Sequence, residues 1–143
     1  MTTPLPSGEC VTTCMRAALT DARLQPQDIG YINPHASGTQ LNDANEVACI
    51  RAVFGHTPPP VSATKPFTAH PLGATAAMET AICALALREQ WLPPTLHLRT
   101  PDPACDIDVI ANTGRPHRFR HVMNNAFGFG GANCSLVLGL AEG

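Results

Sequence analysis

The sequence has almost no lysine: Lys65 is the only one, and the other eight of its nine basic residues are arginine. It also lacks an excess of positive charge, because the net charge is −2, and this argues against a basic surface for nucleic acid. Apolar stretches are broken by Arg, Glu or Pro well before the ~20 residues of a membrane span. The start of the chain does not resemble a signal peptide. We therefore expect a cytoplasmic protein with neither nucleic acid nor membrane as a partner.

The cysteines lack the close spacing of a metal or redox motif. There is no CxxC pair, and the six cysteines are scattered over positions 10, 14, 49, 83, 105 and 134. Disulfide frameworks are typical of shorter, loop-rich secreted chains, so buried reduced thiols are expected instead. His117 and His121 are four residues apart, but their segment is rich in arginine and leads into a predicted strand. We therefore predict no metal site and no cofactor.

The apolar periodicity alternates between helix and strand along a chain of 143 residues, enough for one domain, 1–143. Helical spacing occurs at 9–23, 41–54 and 71–90, and the third of these is apolar nearly all round, which predicts burial. Short strands are predicted at 29–32, 61–64 and 106–111, and a glycine-linked pair of strands at 120–140. This order predicts a layered α/β fold.

Lys65 stands five residues before His70, in the segment "SATKPFTAHPLGATAAMET". Because proline is favoured at the first helical position, Pro71 predicts that His70 is the N-cap of the third helix. The positive end of a helix favours a neutral imidazole, which can donate a hydrogen bond to an oxygen that gains negative charge. A histidine near a helix start is also often a surface or packing residue, so this pattern alone leaves both interpretations open.

The segment "YINPHASGTQLND" places His35 directly after a predicted strand, in a turn that leads into the second helix. In open α/β sheets, functional sites gather beyond the carboxyl ends of strands, where His35 and His70 can converge on one atom. The alternative is that His35 only completes the hydrogen bonding of the turn. Asp43, followed three residues later by Glu46, fits a helix capping box better than an acid/base pair.

The segment "NNAFGFGGANCS" joins the last two predicted strands. Its glycines, Gly128, Gly130 and Gly131, permit positive φ and close backbone approach, and Phe127 and Phe129 flank them. The segment is either an ordinary hairpin turn or a loop that lines a site. It is not a nucleotide-binding GxGxxG motif, because the spacing differs and a strand follows it.

Together the three segments resemble the motifs of β-ketoacyl-acyl carrier protein synthases, in the same order and along nearly the whole chain. The family patterns are His-Gly-Thr-x-Thr-x-x-x-Asp, Ser-x-Lys-x-x-x-Gly-His-x-x-Gly-Ala-Ala-Gly and Asn-x-Phe-Gly-Phe-Gly-Gly-x-Asn. The chain is most similar to the elongating enzymes of fatty acid and type II polyketide synthesis. The resemblance implies the C-terminal half of a thiolase-like α/β fold, with helices packed on a central mixed sheet.

The resemblance also implies site residues. His35 and His70 correspond to the two histidines that hold the thioester carbonyl of malonyl-carrier protein and stabilise the enolate formed on decarboxylation, and Lys65 to a lysine that anchors the site. Phe127 matches the position that gates acyl entry. The remaining implied roles are substrate binding for Thr39, Gly128 and Phe129, and structural support from Asp43, Glu46, Glu79, Gly130 and Gly131.

The chain departs from the family motifs at three places. Ala36-Ser37 replaces Gly-Thr after the first histidine, Ala69 replaces the glycine before the second, and Thr75-Ala76 replaces Ala-Gly at the start of the third helix. These changes leave both histidines and Lys65 in place, so we expect them to be tolerated.

The resemblance covers only the C-terminal half of the family, whose nucleophilic cysteine belongs to the N-terminal half, at a helix N-terminus. None of the six cysteines here is followed by the small-residue turn into a helix that this nucleophile needs. We therefore expect a chain that is inactive alone. Its expected partners are loaded acyl carrier protein and an N-terminal half or full-length synthase, in a dimer-type association. The alternative is a non-catalytic truncated synthase that acts as a partner or carrier-protein-binding module.

Overall fold

A mixed β-sheet with helices on both faces forms the core of the computed structural model, which describes residues 8–141. The predicted α/β architecture is therefore confirmed. The helices are α1 (Glu9–Ala22), α2 (Gln40–Phe54), α3 (Lys65–Thr68) and α4 (Thr75–Glu89). The strands are β1 (Tyr31–Asn33), β2 (Trp91–Leu92), β3 (Arg115–Pro116), β4 (His121–Phe127) and β5 (Asn133–Gly139). Four short 3₁₀ turns lie at Pro26–Asp28, Leu72–Ala74, Pro103–Cys105 and Phe129–Gly131.

The main sheet has the order β1-β4-β5, with β1 parallel to β4 and β4 antiparallel to β5. Val61 extends it beyond β1 through single parallel bridges to Ile32 and Val109. The strands predicted at 61–64 and 106–111 are thus only isolated bridges. Three prolines, 58–60, precede Val61 and cannot donate ladder hydrogen bonds, and the N–H groups of Ile107 and Val109 bond to carbonyls two residues earlier.

Alternate residues of the strands point to the two helical layers. Ile32 and Met123 belong to a core cluster with residues of α1 and α2. Tyr31 and Val122, each one position away, belong to a second cluster with residues of α4. The sheet therefore separates α1 and α2 on one face from α4 on the other.

Helix α4 is buried on one side only, so the prediction of all-round burial is wrong for the described residues. Its buried residues are Thr75, Glu79, Cys83, Ala86 and Leu87. On the opposite side Met78 is 40% exposed and Leu85 49% exposed, and Ala81 between them is exposed as well. The apolar sequence provides two packing faces, and residues 8–141 cover one of them.

No sequence pattern predicts α3 or the antiparallel pair of β2 and β3. Elements of two to four residues are too short to show a period. Within the described part of the chain, no helix is long and apolar enough to cross a membrane.

Candidate active site

His35 and His70 meet at the carboxyl end of the sheet. His35 follows β1, and His70 lies in the connection between α3 and α4. Their ring centroids are 5.4 Å apart and the rings are nearly perpendicular, at 79°. Phe127, the last residue of β4, places its ring 5.7 Å from that of His35. The parallel pairing of β1 and β4 explains why Phe127 lies beside His35, because the two strands end at the same edge.

Lys65 is buried beneath this pair, with 8% of its surface exposed. Its ammonium donates to a carboxylate oxygen of Glu79 at 2.6 Å and to the backbone carbonyl of His35. Glu79 is 1% exposed, and this burial raises the pKa of its carboxyl although Lys65 opposes the rise. The single lysine thus connects α3, α4 and the loop after β1, rather than serving as a solvated surface charge.

The predicted capping box of Asp43 and Glu46 is wrong, because α2 begins earlier. Its N-cap is Thr39, whose hydroxyl accepts a hydrogen bond from the N–H of Asn42 at 3.3 Å. Asp43 lies in the first turn and accepts from the N–H of Gly38 at 3.2 Å. Both carboxylates accept hydrogen bonds from backbone N–H groups, but neither forms the predicted box.

Glu46 instead holds the loop that carries His35. Its two carboxylate oxygens accept the backbone N–H groups of His35 and Ala36, each at 2.8 Å. Burial raises the pKa of Glu46 to about 7, although these two bonds oppose the rise. Ala36 has a left-handed backbone, with φ 37°, which disfavours residues with a side chain. The carboxylate therefore fixes a strained turn directly after the first histidine.

His70 is not the N-cap that the Pro71 pattern predicted. The N-cap of α4 is Ala74, and a 3₁₀ turn separates Pro71 from the helix. The proline therefore begins this turn rather than the α-helix. The ring of His70 is held instead by Thr75, the first residue of α4, with Nδ1 and Oγ1 2.9 Å apart.

The loop of Gly128, Gly130 and Gly131 follows Phe127, and Thr39 lies four residues after His35. Gly130 and Gly131 have φ 77° and 84°, so both adopt a conformation that glycine permits at little cost. Phe129 is exposed in the same 3₁₀ turn, which follows Gly128. Thr39 is exposed at the start of α2. The substrate-binding roles implied for these residues stay predictions.

Sequence reasoning missed a buried amide network behind the histidines. Asn33 donates to Asn124 at 2.9 Å, and Asn124 donates to the Thr80 hydroxyl on α4 at 3.1 Å. On the opposite face, Asn125 donates to Glu46 at 3.4 Å and accepts from Ser135 at 2.8 Å. Two adjacent asparagines inside an apolar strand were the available signal, since buried amides need partners.

Two of the six cysteines lie inside the fold and are poor nucleophiles there. Cys49 and Cys83 are buried, and burial, with a smaller effect from the nearby Glu79 charge, raises the pKa of Cys83 to about 12. A raised pKa suppresses the reactive thiolate. Within residues 8–141, no group of three or more His, Cys, Asp or Glu side chains is placed to hold a metal ion.

His35 is expected to stay neutral down to acid pH. Burial, and then the positive charges of Lys65 and His70, lower its pKa from 6.5 to about 4. A buried histidine that stays neutral stabilises the folded protein at pH values above the pKa that the ring has in the unfolded chain. This stabilisation is lost as the pH falls through the pKa of the ring in the folded protein. NMR titration of the ring should give a midpoint near pH 4. A midpoint for His35 at the ordinary histidine value of 6.5 would contradict this description of its surroundings.

The chain is similar to a family profile and to curated proteins that are all named as synthases. The family profile described as "Beta-ketoacyl synthase, C-terminal domain" matches residues 1–99. The chain is 44% identical over 140 residues to the 3-oxoacyl-[acyl-carrier-protein] synthase 2 of Coxiella burnetii, covering 96% of this chain and 34% of the relative. It is 40% identical over 139 residues to the Staphylococcus aureus enzyme of the same name, with the same coverage. The chain thus spans about a third of the length of these relatives.

Solved structures of ketosynthases superpose closely on this chain. The ishigamide ketosynthase/chain length factor superposes with a TM-score of 0.94 at 36% identity, over 99% of this chain and 34% of that chain. A beta-ketoacyl synthase from Burkholderia phymatum STM815 gives 0.92 at 35% identity, over 99% and 34%. A type II PKS acyl-carrier protein in complex with its ketosynthase gives 0.95 at 33%, over 99% and 35%. The thiolase-like fold predicted from the motifs is confirmed.

Proposed function

The chain belongs to the beta-ketoacyl synthase family, and on that premise we propose that it supplies the histidine pair and lysine for decarboxylative Claisen condensation. The observation that carries the proposal is the perpendicular pair of His35 and His70 rings, 5.4 Å apart, above the buried Lys65–Glu79 ion pair. Two imidazoles at this separation can direct N–H groups at one oxygen atom between them.

The two histidines are proposed to stabilise an oxygen atom that gains negative charge. When a malonyl thioester loses CO₂, the electron pair of the broken C–C bond delocalises onto the thioester oxygen, forming an enolate. Hydrogen bonds from fixed donors in a water-poor site stabilise that charge. The enolate carbon then attacks an acyl thioester on a cysteine, forming the new C–C bond and releasing the cysteine thiolate. The low pKa of His35 supports its role, because a neutral ring donates without adding a positive charge.

Lys65 and Glu79 hold the donors in place. The Lys65 ammonium binds the carbonyl of His35 itself, and Glu79 on α4 binds the ammonium. The positions of β1, α3 and α4 are thereby fixed relative to one another. We assign Lys65 to the catalytic machinery on this contact and Glu79 to its structural support.

The substrates and partners follow from the relatives. The two curated relatives are named 3-oxoacyl-[acyl-carrier-protein] synthase 2, and one structural neighbour is described as an acyl-carrier protein in complex with its ketosynthase. We propose malonyl- and acyl-loaded carrier protein as the substrates of the assembled enzyme, in fatty acid or type II polyketide synthesis. Thr39 and the loop of Phe127, Gly128 and Phe129 are proposed to contact the acyl chain.

A second polypeptide segment completes the proposed enzyme. The acylated cysteine is proposed to come from that segment, because none of the six cysteines of this chain is followed by the small-residue turn into a helix that the nucleophile needs. The exposed face of α4, formed by Met78, Ala81 and Leu85, offers apolar surface for such a partner. These three residues are spaced i, i+3 and i+7, so they lie on one side of the helix.

We expect the 143-residue chain alone to show no condensation, and activity to appear when the N-terminal two-thirds of the Coxiella burnetii relative is added. The assay is the extension of an acyl group by malonyl-carrier protein, followed by mass spectrometry. Ala81→Glu, on the exposed face of α4, should abolish this complementation, because it places a charge in the apolar interface. Ala17→Glu, an identical change at an exposed position of α1, is the matched control and should leave complementation intact.

Two results would oppose this proposal. Chain extension by the isolated chain, with an acyl group on one of its six cysteines, would show that a nucleophile is present. Stable binding to the added half without any activity would instead favour the second candidate, a non-catalytic module. The exposed α4 face fits that candidate equally well, so activity rather than binding decides between them.

A further inference from the structure

Thr75 stands where the family motif usually has alanine, and its hydroxyl reaches the second histidine. Oγ1 of Thr75 lies 2.9 Å from Nδ1 of His70. Thr75 is only 4% exposed, so the hydroxyl is held in one place rather than rotating in solvent. An alanine here would leave the same ring nitrogen without this partner.

The position of Thr75 in its helix explains why the hydroxyl is available. Thr12, Thr20, Thr68 and Thr80 each donate to the backbone carbonyl four residues earlier, as helical threonines commonly do. Thr75 begins α4, where the chain four residues earlier is still in a turn. Within residues 8–141, the only hydrogen-bond partner found for its hydroxyl is the His70 ring.

We propose that Thr75 is a positioning residue that donates its hydroxyl proton to Nδ1 of His70 and thereby selects the neutral tautomer with the proton on Nε2. A neutral imidazole has one N–H and one acceptor nitrogen, and the partner of one nitrogen decides the state of the other. With Nδ1 accepting from Thr75, Nε2 becomes the donor. The same bond restricts rotation of the ring relative to α4.

The catalytic consequence of this inference rests on the proposed function, because only that function requires Nε2–H as a donor to the thioester oxygen. The tautomer itself does not depend on catalysis. It is measurable in the chain as it stands, by long-range ¹H–¹⁵N correlation spectra of histidine-labelled protein. His70 is assigned by comparison with His70→Gln, and the exposed His56 gives the tautomer ratio of a ring without this contact.

The wild-type chain, recorded at alkaline pH, should show His70 with its proton on Nε2 to a greater extent than His56. Thr75→Ser keeps a hydroxyl at the same place and should preserve this pattern. Thr75→Val, which replaces the hydroxyl by a methyl group, should bring the ratio to that of His56. Thr75→Ala introduces the residue that the family motif usually has, so it is compatible with the fold. It should also bring the ratio to that of His56. Circular dichroism checks folding.

The inference is overturned if wild-type His70 carries its proton on Nδ1, or if a folded Thr75→Val or Thr75→Ala variant keeps the wild-type ratio. In the complemented enzyme, loss of an orienting partner should lower the decarboxylation rate about tenfold with KM unchanged, the lower end of what such partners contribute at metal-bound histidines. A changed tautomer with an unchanged rate supports the positioning by Thr75 and counts against the catalytic role proposed for His70.

Discussion

Malonyl decarboxylation by the complemented enzyme is expected to slow about 10²–10³-fold in His70→Ala, the usual effect of losing one donor to a developing oxyanion. Acylation of the partner's cysteine should continue, because that step does not require the enolate oxygen to be stabilised. His70 is an exposed residue, so removal of its ring creates no buried cavity. The expected loss is therefore chemical rather than structural.

The two steps must be measured separately. Release of CO₂ from malonyl-carrier protein reports decarboxylation, and intact mass spectrometry of the partner segment reports the acyl-enzyme. His56→Ala removes an exposed histidine from a loop and is the matched control, with both steps unchanged. Decarboxylation that persists at the wild-type rate in His70→Ala, or a parallel loss of both steps, would refute the assignment.

The meeting of the two histidines could be predicted from the sequence, whereas their hydrogen-bond partners could not. A histidine that follows a buried strand is placed by the sheet, because strand ends share an edge, and His35 obeys this rule. Side-chain partners depend on where each helix begins. The N-cap of α2 is Thr39 rather than the predicted Asp43. Glu46 therefore does not cap the helix but accepts two N–H groups of the His35 loop.

Helix α4 shows a second limit of sequence reasoning. Its apolar composition predicted burial nearly all round, but composition does not say which chain segment supplies each contact. Glu79, buried on the sheet side, and Leu85, exposed on the other, lie in one helix with no contrast in the neighbouring sequence. Hydrophobicity alone therefore predicts the helix without predicting its exposed face.

Lys65 is the only lysine of the chain, and the structure supplies the physical reason for a lysine at this position. A fork-shaped guanidinium needs room for its planar group and five donors. The space beside Glu79 and the His35 carbonyl is almost closed to solvent and receives a single ammonium. All the other positively charged side chains, eight in number, are arginines, so the compact ammonium is needed only at position 65.

Lys65→Met is accordingly expected to lower the free energy of unfolding by about 3–5 kcal/mol, the range for breaking one partner of a buried ion pair. The cost arises because the carboxylate of Glu79, 1% exposed, would be left without its partner. Lys65→Arg should be nearly as inactive in the complemented enzyme as Lys65→Met, since the guanidinium does not fit where the ammonium does. Arg88→Met breaks the exposed pair with Glu89 and should cost less than about 1 kcal/mol.

Two further measurements separate a lost ion pair from lost packing. The double variant Lys65→Met, Glu79→Gln should recover much of the stability, because no unpaired charge remains, but none of the condensation activity. The defect of Lys65→Met should also shrink as the pH is lowered towards 4.5, the ordinary pKa of Glu79. Burial raises the folded pKa of that carboxyl by disfavouring its charged form, so the penalty for leaving it unpaired grows as the pH rises through the folded pKa. Chemical denaturation at several pH values measures this; a defect of constant size across that range would mean that the lysine stem, rather than the pair with Glu79, is what the fold requires.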